Sequence, residues 1–83
     1  MNDDDRIGYA FSRTFKWGGS GFFADSELRQ EIAALLPKYK EMPHSLGVEL
    51  WIMFHKRWPK FYLSGHYIEN DLGGEFLNWM ERG

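Results

Sequence analysis

The sequence contains no cysteine and no apolar run long enough to cross a membrane. Without cysteine the chain has neither a disulfide cross-link nor a thiolate zinc site. Its longest uninterrupted apolar run, residues 50–54, is far shorter than the about 20 residues that a membrane-spanning helix needs. The start of the chain, residues 1–6, is acidic and polar, unlike a secretory signal or a transit peptide. We therefore expect a cytoplasmic protein without membrane contact.

The chain is short but rich in aromatic residues. Its 83 residues include 7 Phe, 4 Trp and 4 Tyr. A chain of this length predicts one domain, residues 1–83, in which residues 1–6 form a flexible acidic tail. The expected free energy of unfolding is about 4–12 kcal/mol. Because each large aromatic side chain can bury roughly 150–250 Å², the aromatic residues can supply the core volume that a small domain needs.

Charge is unevenly distributed along the sequence. The net charge is −2 and the pI is near 5.9, yet residues 38–60 hold five basic and two acidic side chains. The segments on either side are acidic. Ordinary solubilising charge is the simplest explanation of this distribution. A domain that binds phosphates usually has a strong basic excess, so the overall balance disfavours nucleic acid as the main partner.

Two segments have apolar residues at every second position, which is the period of a β-strand. The first, residues 7–17, ends at the flexible turn formed by residues 18–21. The second, residues 48–67, predicts a β-hairpin whose turn is residues 56–59, because Pro59 cannot donate to a strand ladder. This register brings each apolar residue of one strand opposite a residue on the same face of the other, and it predicts that this face is buried in the core. The pairs are Phe54–Phe61, Ile52–Leu63, Leu50–Gly65 and Val48–Tyr67.

Two other segments have helical spacing. One follows an N-cap at Asp25 or Ser26, and Pro37 predicts that it ends near Leu36. The other follows a cap at Asn70 or Asp71, with apolar residues at 72, 76, 79 and 80. The order β-α-β-β-α predicts an α+β fold: a mostly antiparallel three-stranded sheet with both helices on one face.

The sequence lacks the motifs of the common kinds of active site. The glycines of residues 18–21 are followed by Phe22 and Phe23, not by the Lys-Ser/Thr pair of a phosphate-binding loop. In the predicted hairpin His55 and His66 lie about 20 Å apart, too far to share a metal ion. The serines occupy no nucleophile motif. We therefore expect no catalytic residues, no cofactor and no bound metal.

The predicted hairpin carries more aromatic and basic residues than a solvated hairpin needs. Its second face and its turn combine large aromatic side chains with cations, which is typical of binding surfaces. The alternative is that another element covers the apolar part of this face. The candidate partner-binding residues are Trp51, Met53, Lys56, Arg57, Trp58, Lys60 and Tyr62.

The sequence indicates a small non-enzymatic protein-binding module. Very short, cysteine-free intracellular proteins without catalytic motifs are often inhibitors or antagonists. Examples are phage or mobile-element inhibitors of host defence complexes, such as anti-CRISPR proteins, and immunity or antitoxin proteins. Such a protein would act by occluding a surface of its protein partner. One alternative is a nucleic-acid-binding domain that uses the basic aromatic residues 55–60. Another is a homodimer formed by pairing of edge strands.

Overall fold

A computed structural model describes residues 2–15, 24–60 and 71–82, and within these ranges the protein is helical. The described ranges contain four α-helices, which are α1 (Asp3–Thr14), α2 (Ser26–Tyr39), α3 (Pro43–Arg57) and α4 (Leu72–Arg82). The described residues contain no β-strand, so the prediction of an α+β fold with a three-stranded sheet is wrong. None of these helices is long and apolar enough to cross a membrane.

Capping residues define where three of the helices begin. The Asn2 side chain accepts a hydrogen bond from Asp5 N at 2.8 Å, so residues 3–6, expected to be a flexible tail, form the first turn of α1. Asp25 accepts from Leu28 N at 2.8 Å, which confirms the predicted N-cap of α2. Asp71 accepts from Gly74 N, also at 2.8 Å, and confirms the predicted cap of α4. Each cap satisfies an N–H group that the helix itself leaves without an acceptor.

The segment predicted as the first strand is α1. Ile7, Phe11 and Phe15 satisfy a period of two, but they are also spaced four residues apart, as on one face of a helix. Ala10 and Thr14 complete that face, and all five residues are buried. Asn2 and the three first-turn aspartates further favour a helix start. Residues 16–23, which include the predicted turn, lie outside the described residues.

The segment predicted as the first strand of the hairpin is α3. Leu46, Leu50 and Phe54 are fully buried, again at a spacing of four residues. The predicted turn is instead the end of α3, where Trp58 N donates to Phe54 O at 2.8 Å. The cross-strand pairing is therefore wrong, and the predicted return strand, residues 61–67, lies outside the described residues. Helix α2 also differs from its prediction, since it includes Pro37 and continues to Tyr39.

The helices form a ring in which each contacts two neighbours. Helix α1 contacts α2 and α4, and α3 contacts the same two helices. The backbones of α1 and α3 do not meet, but their aromatic side chains do, inside the ring. The rings of Phe15 and Phe54 stack with centroids 4.6 Å apart. Two ion pairs, Arg29–Asp4 and Arg57–Glu31, link α2 to α1 and to α3.

Two glycines allow α3 and α4 to approach closely. A Cβ atom added at Gly73 would overlap the carbonyl oxygen of Pro43 and lie 2.7 Å from Gly47 N. One added at Gly47 would lie 2.8 Å from Gly73 N. Only glycine fits such a backbone-to-backbone contact. Gly73 therefore stabilises the packing of α4 although it weakens the helix itself.

Candidate functional site

The outward side of α3 combines apolar and basic side chains. Opposite its buried side, His44, Val48, Ile52 and Lys56 follow one another every four residues and are all exposed. Ile52 is 51% exposed and Val48 is 36% exposed. Residues four apart lie on the same side of a helix, so Val48 and Ile52 are neighbours. We call His44, Val48, Ile52 and Lys56 the α3 outer face.

Exposure of large hydrophobic side chains is concentrated at α3. The described part of the chain exposes three such side chains, Met42, Val48 and Ile52. Met42 is the N-cap residue of α3, and the other two lie on the α3 outer face. Single exposed apolar residues are ordinary on protein surfaces, but adjacent ones on a rigid helix are typical of interaction sites.

Three of the apolar side chains predicted to bind a partner pack mainly against the core. Trp51, Met53 and Trp58 are each partly buried against it. The ring of Trp58 lies 5.3 Å from that of Phe54 and 6.0 Å from that of Phe11. A tryptophan held in this way adds to the stability of the fold. Substitution of Trp58 is therefore expected to change folding, contrary to what a solvent-facing turn would imply.

The predicted basic residues have different surroundings. The Arg57 guanidinium pairs with the Glu31 carboxylate, which joins α3 to α2. Lys56 and Lys60 are exposed at the end of α3 and in the turn that follows it. Tyr62 lies outside the described residues. Of the predicted cations, the two lysines are thus available to a partner, whereas Arg57 has a structural role.

Trp51 and His55 form a second aromatic contact beside the α3 outer face. Their ring centroids are 4.0 Å apart, with planes tilted by 41°. Trp51 Nε1 and His55 Nε2 are both buried, and neither has a hydrogen-bond partner among the described residues. The pair therefore lies between this face and the core, and the described contacts give it no acid–base partner.

The α3 outer face contains residues that the strand interpretation had placed in the core. Val48 and Ile52 were predicted to be buried, because a strand puts them on the same side as Leu46, Leu50 and Phe54. A helix separates the two sets by about half a turn. The four-residue spacing of Leu46, Leu50 and Phe54 is the signal that could have distinguished the two structures.

Within the described ranges, no group of three or more His, Asp or Glu side chains is placed to hold a metal ion. The expectation of no metal therefore stays a prediction for the whole chain.

Comparison with protein families, curated proteins and solved structures found no match. The functional argument therefore depends on the surface of the molecule.

Proposed function

We propose that this protein is a small non-enzymatic protein-binding module whose partner contacts the α3 outer face, and that it acts as an inhibitor or antagonist by covering a partner surface. The main support is the exposure of two adjacent aliphatic side chains, Val48 and Ile52, on a helix whose other side is fully buried. Covering an aliphatic side chain of this size is favourable by about 1.5–3 kcal/mol when it passes from exposed to buried. About half of that gain is available at Ile52, since half of its surface is already covered.

The charges near this face indicate the chemistry of the partner. Lys56 lies one helical turn beyond Ile52, and Lys60 follows the end of the helix. The complementary surface would be an apolar depression that receives Ile52 and Val48, with carboxylates beside the lysines. Such charges at the rim of an interface mainly affect the association rate and partner selection.

Nucleic-acid binding has less support. Binding to single-stranded nucleic acid commonly uses an exposed aromatic ring as a stacking platform beside a basic groove. Trp58, the ring expected to stack, packs on Phe11 and Phe54. Arg57, the central cation of the expected site, pairs with Glu31.

Photo-crosslinking from the α3 outer face tests the proposal. A photoreactive amino acid replaces Ile52 in one variant and Gln30 in a matched control. Gln30 is also exposed on a helix, but it belongs to α2. Both variants are expressed in the native host, irradiated, and the crosslinked proteins are identified by mass spectrometry. We expect position 52 to yield a discrete product that position 30 does not.

Competition with unlabelled protein establishes whether that product is specific. Excess parent protein should abolish the crosslink from position 52, and excess Ile52→Lys protein should not. The Ile52→Lys competitor must have the melting temperature of the parent, which is expected because the side chain is exposed. The same products from positions 30 and 52, or equal competition by both proteins, would refute the α3 outer face as the binding surface.

A further inference from the structure

A wide groove separates α2 from α4. These two helices do not contact each other in the ring, and the space between them is a concavity of about 1320 Å³. Side chains of α1 also line it, and Pro43 lies at its end. This volume exceeds the roughly 300–1,000 Å³ of typical small-molecule pockets. The groove is therefore a broad, open depression and not an enclosed small-molecule pocket.

The two walls of the groove have the same helical spacing. Residues 33, 36 and 37 of α2 and its C-cap residue 40 line one side, and residues 74, 77, 78 and 81 of α4 line the other. Each set is spaced i, i+3, i+4, i+7, which is the stripe that one helix offers to another. Leu36, Leu77 and Met80 supply partly buried apolar surface within the groove.

The groove is more acidic than the molecule as a whole. Among the described residues that line it, five carry carboxylates and two, Arg6 and Lys40, are cations, so their balance is −3 where the whole chain is −2. The carboxylate residues are Asp3, Glu41, Asp71, Glu75 and Glu81. An anionic rim around an apolar centre complements a helix that has one apolar face and basic residues beside it.

We propose that the groove between α2 and α4 binds a basic amphipathic helix of a partner protein. Its apolar face contacts Leu36, Leu77 and Met80, and its lysine or arginine residues lie near Asp3 and Glu81. The groove is distinct from the α3 outer face, so the protein has two binding surfaces. This arrangement would allow it to hold two segments of one partner or to join two partners.

A synthetic peptide tests the groove without knowledge of the natural partner. The probe is a fluorescent peptide of about 12 residues, built of leucine and lysine with leucines spaced i, i+3, i+4, i+7. One comparison peptide replaces every lysine with glutamate, and another has the same composition in permuted order. Fluorescence anisotropy with the full chain should show binding of the first peptide and affinities at least about tenfold lower for the other two.

Charge reversal locates the binding site. Asp3 and Glu27 are exposed acidic residues in the first turns of α1 and α2, but only Asp3 lines the groove. The double variant Asp3→Lys/Glu81→Lys should weaken peptide binding about tenfold, and Glu27→Lys should leave it unchanged. In the parent protein, the NMR methyl signals of Leu36, Leu77 and Met80 should shift on addition of the peptide. This measurement does not depend on whether any variant folds.

Three outcomes would overturn the proposal. Equal weakening by Glu27→Lys would mean that the peptide binds by general charge attraction. Shifts confined to the methyl groups of Val48 and Ile52 would place the peptide on the α3 outer face. Self-association of the parent in sedimentation, abolished by Glu81→Lys, would assign the groove to a second copy of the chain. None of these results decides the crosslinking test of the α3 outer face, so the two proposals fail separately.

Discussion

Thr14 has a buried hydroxyl group on the core side of α1. The residue is 2% exposed, and its Oγ1 atom has no hydrogen-bond partner in the part of the chain that the structure describes. A buried polar group without a partner costs about 1–3 kcal/mol. Replacement by valine keeps the branched shape and removes the hydroxyl. We expect Thr14→Val to increase the free energy of unfolding by about 1 kcal/mol in urea denaturation.

Thr14→Ser provides the control for that variant. Serine keeps the hydroxyl and removes a buried methyl group, so it should decrease the free energy of unfolding by about 0.8 kcal/mol. Opposite signs for the two variants would attribute the effect to the hydroxyl. A loss of stability in Thr14→Val would mean that the hydroxyl does form a favourable interaction in solution.

Phe54 is the aromatic residue that joins the two sides of the ring of helices. It is fully buried, stacks on Phe15 and contacts Trp58. Phe54→Ala should decrease the free energy of unfolding by about 3–5 kcal/mol, close to the lower bound of the expected total. Phe54→Leu keeps most of the apolar volume and should cost about 1.5 kcal/mol or less. Equal melting temperatures for the parent and Phe54→Ala would contradict this packing.

At the scale of helices, the crossing of α3 and α4 depends on Gly73. Alanine at this position would favour the helix by about 1 kcal/mol, but its Cβ would overlap the backbone of Pro43. Overlap with backbone is relieved only by separating the helices. We expect Gly73→Ala to lower the free energy of unfolding by about 2 kcal/mol or more.

Gly8 is a matched control on another helix. A Cβ at Gly8 would lie 3.2 Å from Cδ of Arg29, so that side chain needs to shift by only a few tenths of an ångström, whereas a Cβ at Gly73 would meet fixed backbone. Gly8→Ala should therefore be neutral or increase the free energy of unfolding by up to about 1 kcal/mol. The two variants are compared by thermal and urea unfolding. Similar effects of both substitutions would show that helix propensity, and not the close crossing, determines the result.

The start of α4 depends on Asp71 in two ways. Its side chain caps Gly74 N, and its backbone has a φ of 72°, in the left-handed region. Asparagine tolerates this conformation and keeps a carbonyl acceptor, so Asp71→Asn should change the free energy of unfolding by less than about 0.5 kcal/mol. Asp71→Ala loses the cap and retains the strained backbone, and it should cost about 1–2 kcal/mol.

Asp71→Gly distinguishes the two contributions. Glycine removes the backbone strain but also the capping carboxylate. Urea denaturation should place its stability between those of the alanine and asparagine variants. A glycine variant as unstable as Asp71→Ala would mean that the cap accounts for the whole effect.

At the scale of the whole molecule, α4 closes the ring of helices. It contacts both α1 and α3, and it contributes Leu72 and Phe76 to the buried core. A chain that ends at residue 70 would expose the side of α3 on which α4 packs at Gly47. We expect this truncated chain to lose cooperative urea unfolding and to bind a hydrophobic dye, as loosely packed states do. Cooperative unfolding with the urea dependence of the full chain would contradict this role of α4.

The sequence predicted α2 and α4 better than α1 and α3. The apolar residues of α2 and α4 have spacings that only a helix satisfies, and the predicted cap positions, residues 25–26 and 70–71, include the observed caps Asp25 and Asp71. In α1 and α3, apolar residues four apart are interleaved with others two apart. Such a pattern satisfies both periods over a short segment, and aromatic residues add a bias toward strands. Segment length and capping residues can distinguish a helix from a strand in such a case. The capping of Asp5 N by Asn2 is the signal that could have identified α1 as a helix.

The sequence prediction and the proposal made from the structure both choose the segment that forms α3, but Lys56 is the one residue they share. Aromatic and basic residues are concentrated in the stretch that forms α3, and Lys56 and Lys60 are exposed at its end. Trp58 and Arg57 were expected at a solvent-facing turn. In a helix the same residues point toward Phe54 and Glu31, because each residue turns the side chain by about 100°. The sequence therefore indicated where charge and aromatic residues are concentrated, but not which of them a partner could touch.

The sequence by itself determined the absence of disulfides and, to within one residue, where two of the helices begin. These properties follow from residue counts and from contacts within a few positions. Only the tertiary structure decided the state of α1 and α3, the close crossing at Gly47 and Gly73, and the groove between α2 and α4. Each of these depends on residues distant in sequence, such as Phe15 and Phe54, which lower the free energy only when they meet. Where the local periodicity fits a strand and a helix equally well, long-range packing determines which of the two forms.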